Sequence, residues 1–372
     1  MNSVIEYSMQ AELALAAYAD LSGPVSGHQQ ALKDAGMSAS QAADFVKRWA
    51  VIDSVDFPNG SAATIFEEVG KPGVRYLAVR GTELGNTDLL ADEILALGFP
   101  SFVNPQFVAL RGQIQTWMDA GTLPASFTVT GHSLGGYLAA AIGSWYRGGS
   151  VYMYNAPGVG GVVGNIFDAL KTAFGLGDVA LVSDIYNFRG SEGVSVISGL
   201  GAQLAPPTMV QIEAAFGGPL GPGSHSVVRL ADSLATYALY AALSPSLTLD
   251  QISSILKSAS NQDNLTLESS LDALRILLLG KTLVDATPTK DGQTDNRESF
   301  YTNLTNLQAS AEYQALASSS NSIKLLNAID RDTLVSKAKN DFGDFLAVHY
   351  LLPFALEGHW AVLGTIHTDL YA

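Results

Sequence analysis

The chain has no cysteine in its 372 residues, which excludes a disulfide framework, thiol chemistry and a thiolate metal site. The redox compartment stays open, because a cysteine-free chain suits a secreted bacterial protein as well as a cytosolic one. Positive charge is scarce: 20 Lys and Arg give a net charge of −15. Such a chain repels phosphate backbones and anionic membranes, and without a basic helix it is a poor partner for nucleic acid. Long apolar runs are missing too. None reaches the ~18 residues of a membrane-spanning helix, so an integral membrane protein is not expected. Met1-Asn2-Ser3-Val4-Ile5-Glu6 lacks a basic leader, and Leu13-Ala14-Leu15-Ala16-Ala17 lies between acidic residues. This start reads as an amphipathic helix rather than a signal peptide. No repeat or low-complexity tract is present.

The length suits one large catalytic domain with an appendage, or two modest domains. With 47% hydrophobic and only 15% charged residues, apolar surface is expected at an oligomer contact, a lid or a lipid-facing patch. Early helices include a run through Phe45, Val46 and Trp49 after the capping residues Met37 to Gln41. Ala63-Thr64-Ile65-Phe66 and Arg75-Tyr76-Leu77-Ala78-Val79 flank Gly70-Lys71-Pro72-Gly73 as a hairpin. A helix from about Gln106 to Met118 and strands at Val151 to Tyr154 and Ile185 to Phe188 follow. Strands alternating with helices predict an α/β sheet, mostly parallel in its middle. Beyond Ser244 the pattern turns to helix only, with a capping box at Thr248-Leu249-Asp250-Gln251 and an apolar run from Leu271 to Leu279 before Gly280. Residues 1–243 are therefore expected to form the catalytic domain and 244–372 a helical appendage. Asp285 to Arg297, with Pro288 and Gly292, reads as a loop; Asp291, Gln293 and Asp295 alternate loosely like a calcium loop without completing one. No cofactor or metal is expected.

The most informative stretch is Gly131-His132-Ser133-Leu134-Gly135-Gly136, between the β-branched run Phe127 to Thr130 and an apolar helical run from Tyr137 to Tyr146. This context predicts a nucleophile elbow, in which small residues two before and two after the serine let the backbone turn tightly and lift the hydroxyl out. A Gly-x-Ser-x-Gly also arises by chance in a chain with 36 glycines, and the flanking strand and helix separate the two readings. The following helix points its N-terminus, with the backbone N–H of Leu134, at the site.

A serine hydroxyl needs a general base. Of the six histidines, His132 would point away from the hydroxyl and His28 precedes the sheet, while His349, His359 and His367 lie in the helical tail. His225 follows the Gly- and Pro-rich loop Gly217 to Ser224 and precedes a helix from Val227 to Leu243, where a loop-borne base belongs; the plainer reading is a capping or surface histidine. Two acids compete to orient it. Glu192 lies in the turn after Ile185 to Phe188, whereas Asp184 starts that strand, at the far edge of a parallel sheet; Glu192 is better placed.

At these residues, from about Ser61 to Leu243, the sequence resembles the class 3 lipases, an α/β-hydrolase family of fungal triacylglycerol lipases and bacterial lipase-like proteins. The resemblance includes GHSLGG, Leu77-Ala78-Val79-Arg80-Gly81-Thr82, Asn155-Ala156-Pro157-Gly158-Val159-Gly160 and His225-Ser226-Val227-Val228. It implies an α/β-hydrolase sheet, with Thr82 and the N–H of Leu134 as the oxyanion hole and a lid at Glu83 to Phe102, which otherwise reads as a core-packed helix. The family usually carries Asp where Glu192 stands. A second apolar loop, Val194 to Gly223, would border the pocket. The expected function is that of a serine carboxylic ester hydrolase, a lipase cleaving acylglycerols at a lipid–water interface through Ser133, His225 and Glu192. A phospholipase A1 or short-chain esterase would use the same groups, and a silent lipid-binding or interaction module on the same scaffold is the rival. The tail resembles helical regions after lipase-like domains of large secreted bacterial proteins. The chain is thus expected to be a secreted bacterial protein, or a fragment of one, without a cleaved N-terminal signal; a cytoplasmic location and the oligomeric state stay open.

Overall fold

A computed structural model describes residues 3–81, 104–147, 149–158, 184–191, 203–213, 225–259, 267–280, 294–318, 323–326, 330–357 and 360–371. Three helices open the chain: α1 (Ser3–Ala16), α2 (Val25–Asp34) and α3 (Ala39–Arg48). Seven strands then form one sheet in chain order: β1 (Trp49–Asp56), β2 (Ala62–Glu68), β3 (Arg75–Arg80), β4 (Thr128–His132), β5 (Val151–Tyr154), β6 (Ile185–Gly190) and β7 (Pro207–Val210). The first two pairings are antiparallel and the rest parallel. Gly70 and Gly73 take φ of 90° and 87° in the β2–β3 turn, a conformation that costs glycine nothing.

Strand alternation sorts the side chains onto two faces. Leu77, Val79, Val129, Val151 and Met153 share one core with Phe107 and Ile114 of α4 (Pro105–Asp119) and Leu138 and Ile142 of α5 (Leu134–Tyr146). Right-handed crossovers between strands that follow one another in the sheet put α4 and α5 on the same side. Phe107 and Trp145 accordingly meet, their ring centroids 5.8 Å apart. The opposite face carries an aromatic ladder, with Tyr152 stacked on Tyr186 at 4.9 Å and Tyr154 on Phe188 at 5.3 Å. On that face Thr130 Oγ1 donates to the Gln10 carbonyl of α1 at 3.0 Å, and Phe45 of α3 meets Phe66 edge-on at 5.5 Å. A mixed sheet covered by helices on both faces is an α/β arrangement, as parallel strands require.

Contacts divide the chain into two compact units, Met9–Val210 with Gly217–Ala231, and Met1–Ser8 with Gln211–Phe216 and Asp232–Ala372. The step from Ala231 to Asp232 in that division falls within α6 (Val227–Leu243). In the second unit Thr248 and Gln251 form the expected reciprocal cap: Gln251 N donates to Thr248 Oγ1 at 3.2 Å and Thr248 N to Gln251 Oε1 at 2.8 Å. Its buried centre contains an ion pair, Arg297 Nε to Asp232 Oδ2 at 2.7 Å and Arg297 Nη2 to Asp232 Oδ1 at 2.8 Å, with Tyr301 Oη donating to the same carboxylate at 2.7 Å.

Four sequence expectations need correction. Trp49 does not continue α3 but opens β1, where it packs on Tyr76 at 5.3 Å; a ring that fits a helical period fits a strand as well when a sheet partner is present. Val194 to Gly223 is not all loop, because Pro207–Val210 adds to the sheet edge through Phe188↔Thr208. The tail is not helix only: β8 (Ile323–Leu325) and β9 (Phe354–Leu356) pair antiparallel, strands too short to show a period. The Asp285 to Arg297 loop ends earlier than expected, since a helix spans Thr294–Ala309. Among the described residues, exposed large apolar side chains are few, Leu351 and Val25 the most open.

Candidate functional site

The site is built where β4 runs into α5. Ser133 N still donates to the Tyr154 carbonyl of β5 at 2.9 Å, while its own carbonyl already accepts from Gly136 N at 2.9 Å. A residue serving both strand and helix must reverse the chain within one position, and Ser133 does so at φ 55°, ψ −132°. That conformation is strained for any side chain, by about 1–3 kcal/mol. Glycines make the reversal possible through close approach. A Cβ on Gly131 would run into the Gly135 carbonyl, and one on Gly135 into the Val79 carbonyl oxygen of β3. The first turn of α5 is thus pressed against the end of β3, and a Cβ at Gly81 would sit 2.7 Å from Leu134 Cβ. Leu134 is the first residue of α5, so its N–H belongs to the first turn, whose amides lack intrahelical acceptors and carry the positive end of the helix dipole.

His225 stands just before α6 and reaches this turn: its Nε2 lies 2.7 Å from Ser133 Oγ, and both residues are buried. Burial pushes the His225 imidazole down to about 4, because a buried cation loses hydration. At neutral pH the ring is therefore uncharged, and Nε2 can accept the serine proton.

His132, set aside as a base from the sequence, makes contacts of its own. Its Nε2 lies 2.6 Å from the main-chain carbonyl oxygen of His225 and its Nδ1 2.8 Å from Tyr18 Oη. The two imidazoles are 4.8 Å apart. Burial, and then the nearby His225, hold His132 well below the usual histidine range. Tyr18 is anchored in turn, since Arg80 Nη1 reaches its carbonyl at 3.5 Å while Arg80 Nη2 pairs with Asp56 at 2.5 Å. Tyr18 was not singled out from the sequence, and nothing local could have revealed it.

The structure thus brings Ser133, Leu134 and His225 together. Thr82, Glu192, the segment Glu83 to Phe102 and most of Val194 to Gly223 lie outside the described residues. Asp184 is exposed at the amino end of β6, its carbonyl accepting from Val151 N at 2.9 Å, at the sheet edge opposite to Ser133. His28 Nε2 lies 3.0 Å from the Gly23 carbonyl oxygen, and His367 Nε2 lies 3.0 Å from that of Leu277, each with a structural partner. Among the described residues no His, Asp and Glu side chains group as a metal site, and no helix is long and apolar enough to cross a membrane.

Neither a protein-family model nor a curated protein sequence matches the chain. Among solved structures it is similar to M37 lipase, with 12% identity over 61% of this chain and 89% of the lipase, at a TM-score of 0.37. A likeness of that degree carries no functional argument.

Proposed function

We propose that the chain is a serine hydrolase of carboxylic esters on an α/β-hydrolase scaffold, acting on acylglycerols. The observation that carries this reading is the 2.7 Å contact between Ser133 Oγ and His225 Nε2, made by a serine at positive φ between a strand and a helix. That strand–turn–helix supports Ser133 as a nucleophile on an elbow. As Oγ attacks the ester carbonyl carbon, its proton passes to His225 Nε2 and the carbonyl oxygen becomes an oxyanion. The Leu134 N–H, with Thr82, is the proposed donor set for that charge; one such donor is worth about 3 kcal/mol. The protonated imidazole then gives its proton to the leaving alcohol. Water, deprotonated by the same nitrogen, attacks the acyl carbon; the Oγ–acyl bond breaks, His225 returns the proton to Ser133 Oγ, and the acid is released. Glu192 is proposed to orient His225, since in the sequence it comes two positions after the end of β6, whose carboxyl end lies at the same sheet edge as that of β4.

Fluorophosphonate labelling followed by peptide mass spectrometry tests this directly. A hydrolase is modified at Ser133, and a silent module on the same scaffold is not. The acylglycerol preference is tested separately: if Glu83 to Phe102 forms a lid, turnover on long-chain esters jumps at their solubility limit. A smooth rise through that limit would make the chain an esterase instead.

A further inference from the structure

We propose that His132 is a positioning residue that sets the Ser133–His225 distance by holding the main chain of His225, with Tyr18 locking its tautomer; this rests on the hydrolase reading above. The hydrogens are assigned by chemistry alone. The carbonyl oxygen of His225 only accepts, so His132 Nε2 must carry the proton and donate to it at 2.6 Å. A neutral imidazole with its proton on Nε2 has a lone pair on Nδ1, and burial keeps this ring neutral. Tyr18 Oη, 2.8 Å from Nδ1, must therefore donate.

The contact matters because of where each partner sits. His225 lies after β7 and before α6, outside the described strands of the sheet. His132 is the last residue of β4, paired with Arg80 on one side and Tyr154 on the other, and it is covalently next to Ser133. The base is thus tied to the strand that carries the nucleophile, through the residue beside the nucleophile. A small displacement at this distance strongly lowers the rate of proton transfer, as positioning contacts generally do. Tyr18 guards the arrangement: without its O–H, Nδ1 loses the donor that disfavours the alternative tautomer, in which Nε2 would face a carbonyl with no proton to give.

The test compares full-length His132→Leu, His132→Gln and Tyr18→Phe with the wild type. It measures fluorophosphonate labelling rates, kcat and KM on a soluble p-nitrophenyl ester, and circular dichroism for fold. His132→Leu is expected to lower labelling and kcat by about 10–100-fold at unchanged KM, the range typical of a lost outer contact. His132→Gln, whose amide N–H₂ can still donate to the His225 carbonyl, is expected to recover most of that loss, and Tyr18→Phe to fall between. Equal rates in the folded variants, or Gln as slow as Leu, would overturn the proposal. If His132→Leu does not fold, Tyr18→Phe decides alone: lower kcat at the same KM supports it, unchanged kcat overturns it. A wild type that is never labelled would sink the hydrolase reading instead, and the positioning contact is then judged by imidazole ¹⁵N shifts. His132 protonated on Nε2 in the wild type, and mixed in Tyr18→Phe, supports it; a proton on Nδ1 in the wild type overturns it.

Discussion

Ser133 Oγ and His225 Nε2 stand 2.7 Å apart although 92 positions separate the two residues in the chain. Because the base is buried, its pH behaviour is a direct consequence of that geometry. The folded chain holds His225 at about 4, below the ordinary 6.5, so between these values the unfolded chain binds more protons than the folded one. The associated stability is complete above 6.5 and is lost as the pH falls toward 4. The rate of fluorophosphonate labelling should likewise persist below pH 6.5, its acid limb lying under that of a free imidazole. A limb at or above pH 7 would show that a neighbouring charge, such as the proposed Glu192 carboxylate, outweighs burial at His225.

Ser133→Ala should abolish labelling and ester turnover while keeping the fold, because it removes the nucleophile without adding bulk. The backbone at φ 55° adds a finer expectation. Ser133→Gly relieves the positive-φ strain of about 1–3 kcal/mol and gives back only about 0.4–1 kcal/mol through the freer unfolded chain. Urea unfolding should therefore find Ser133→Gly at least as stable as Ser133→Ala. The reverse order would mean that this turn is unstrained.

Gly135→Ala should destabilise the chain by about 1–3 kcal/mol, the usual cost of overpacking, because its Cβ would meet the Val79 carbonyl oxygen. The damage falls where β3 ends against α5, so labelling of Ser133 should drop as well. A variant with wild-type melting and labelling would refute the close approach.

Glu192→Gln should lower turnover by orders of magnitude with little change in stability, since a neutral amide cannot stabilise the imidazolium formed in the transition state. Asp184→Asn, exposed at the other end of the sheet, should retain most activity. Steady-state kinetics on folded variants showing the opposite pattern would remove Glu192 from the proposed triad.

In the second unit, Arg297→Met strands the buried Asp232 carboxylate and should cost about 3–5 kcal/mol. Glu268 supplies a pH test there. Burial, reinforced by Glu213 and Asp232, raises it from 4.5 to about 8. The folded chain then holds a proton that the unfolded one has lost, and stability declines as the pH rises from 4.5 to about 8. Glu268→Gln should flatten that decline in thermal melts; an unchanged slope would assign it to other groups.

Local chemistry alone determined the cap at Thr248, because it depends on residues three positions apart, whereas the turn at Ser133 also draws on the distant Tyr154 and Val79 carbonyls. The glycines on either side of the serine, the β-branched run before it and the apolar run after it were legible. His225 was legible through its loop composition, though the distance to Ser133 was not. Trp49 shows the limit: its apolar ring fits the end of α3 or the start of β1, and only its sheet partners decide. Pro207–Val210 and Ile323–Leu325 are too short to carry a period, so pairing with distant strands made them strands. His132 looked idle because its partners, Tyr18 and the His225 carbonyl, lie 114 and 93 positions away. Hydrogen bonds across such separations form only when the sheet and its helices are assembled, and that assembly gave His132 its neighbours.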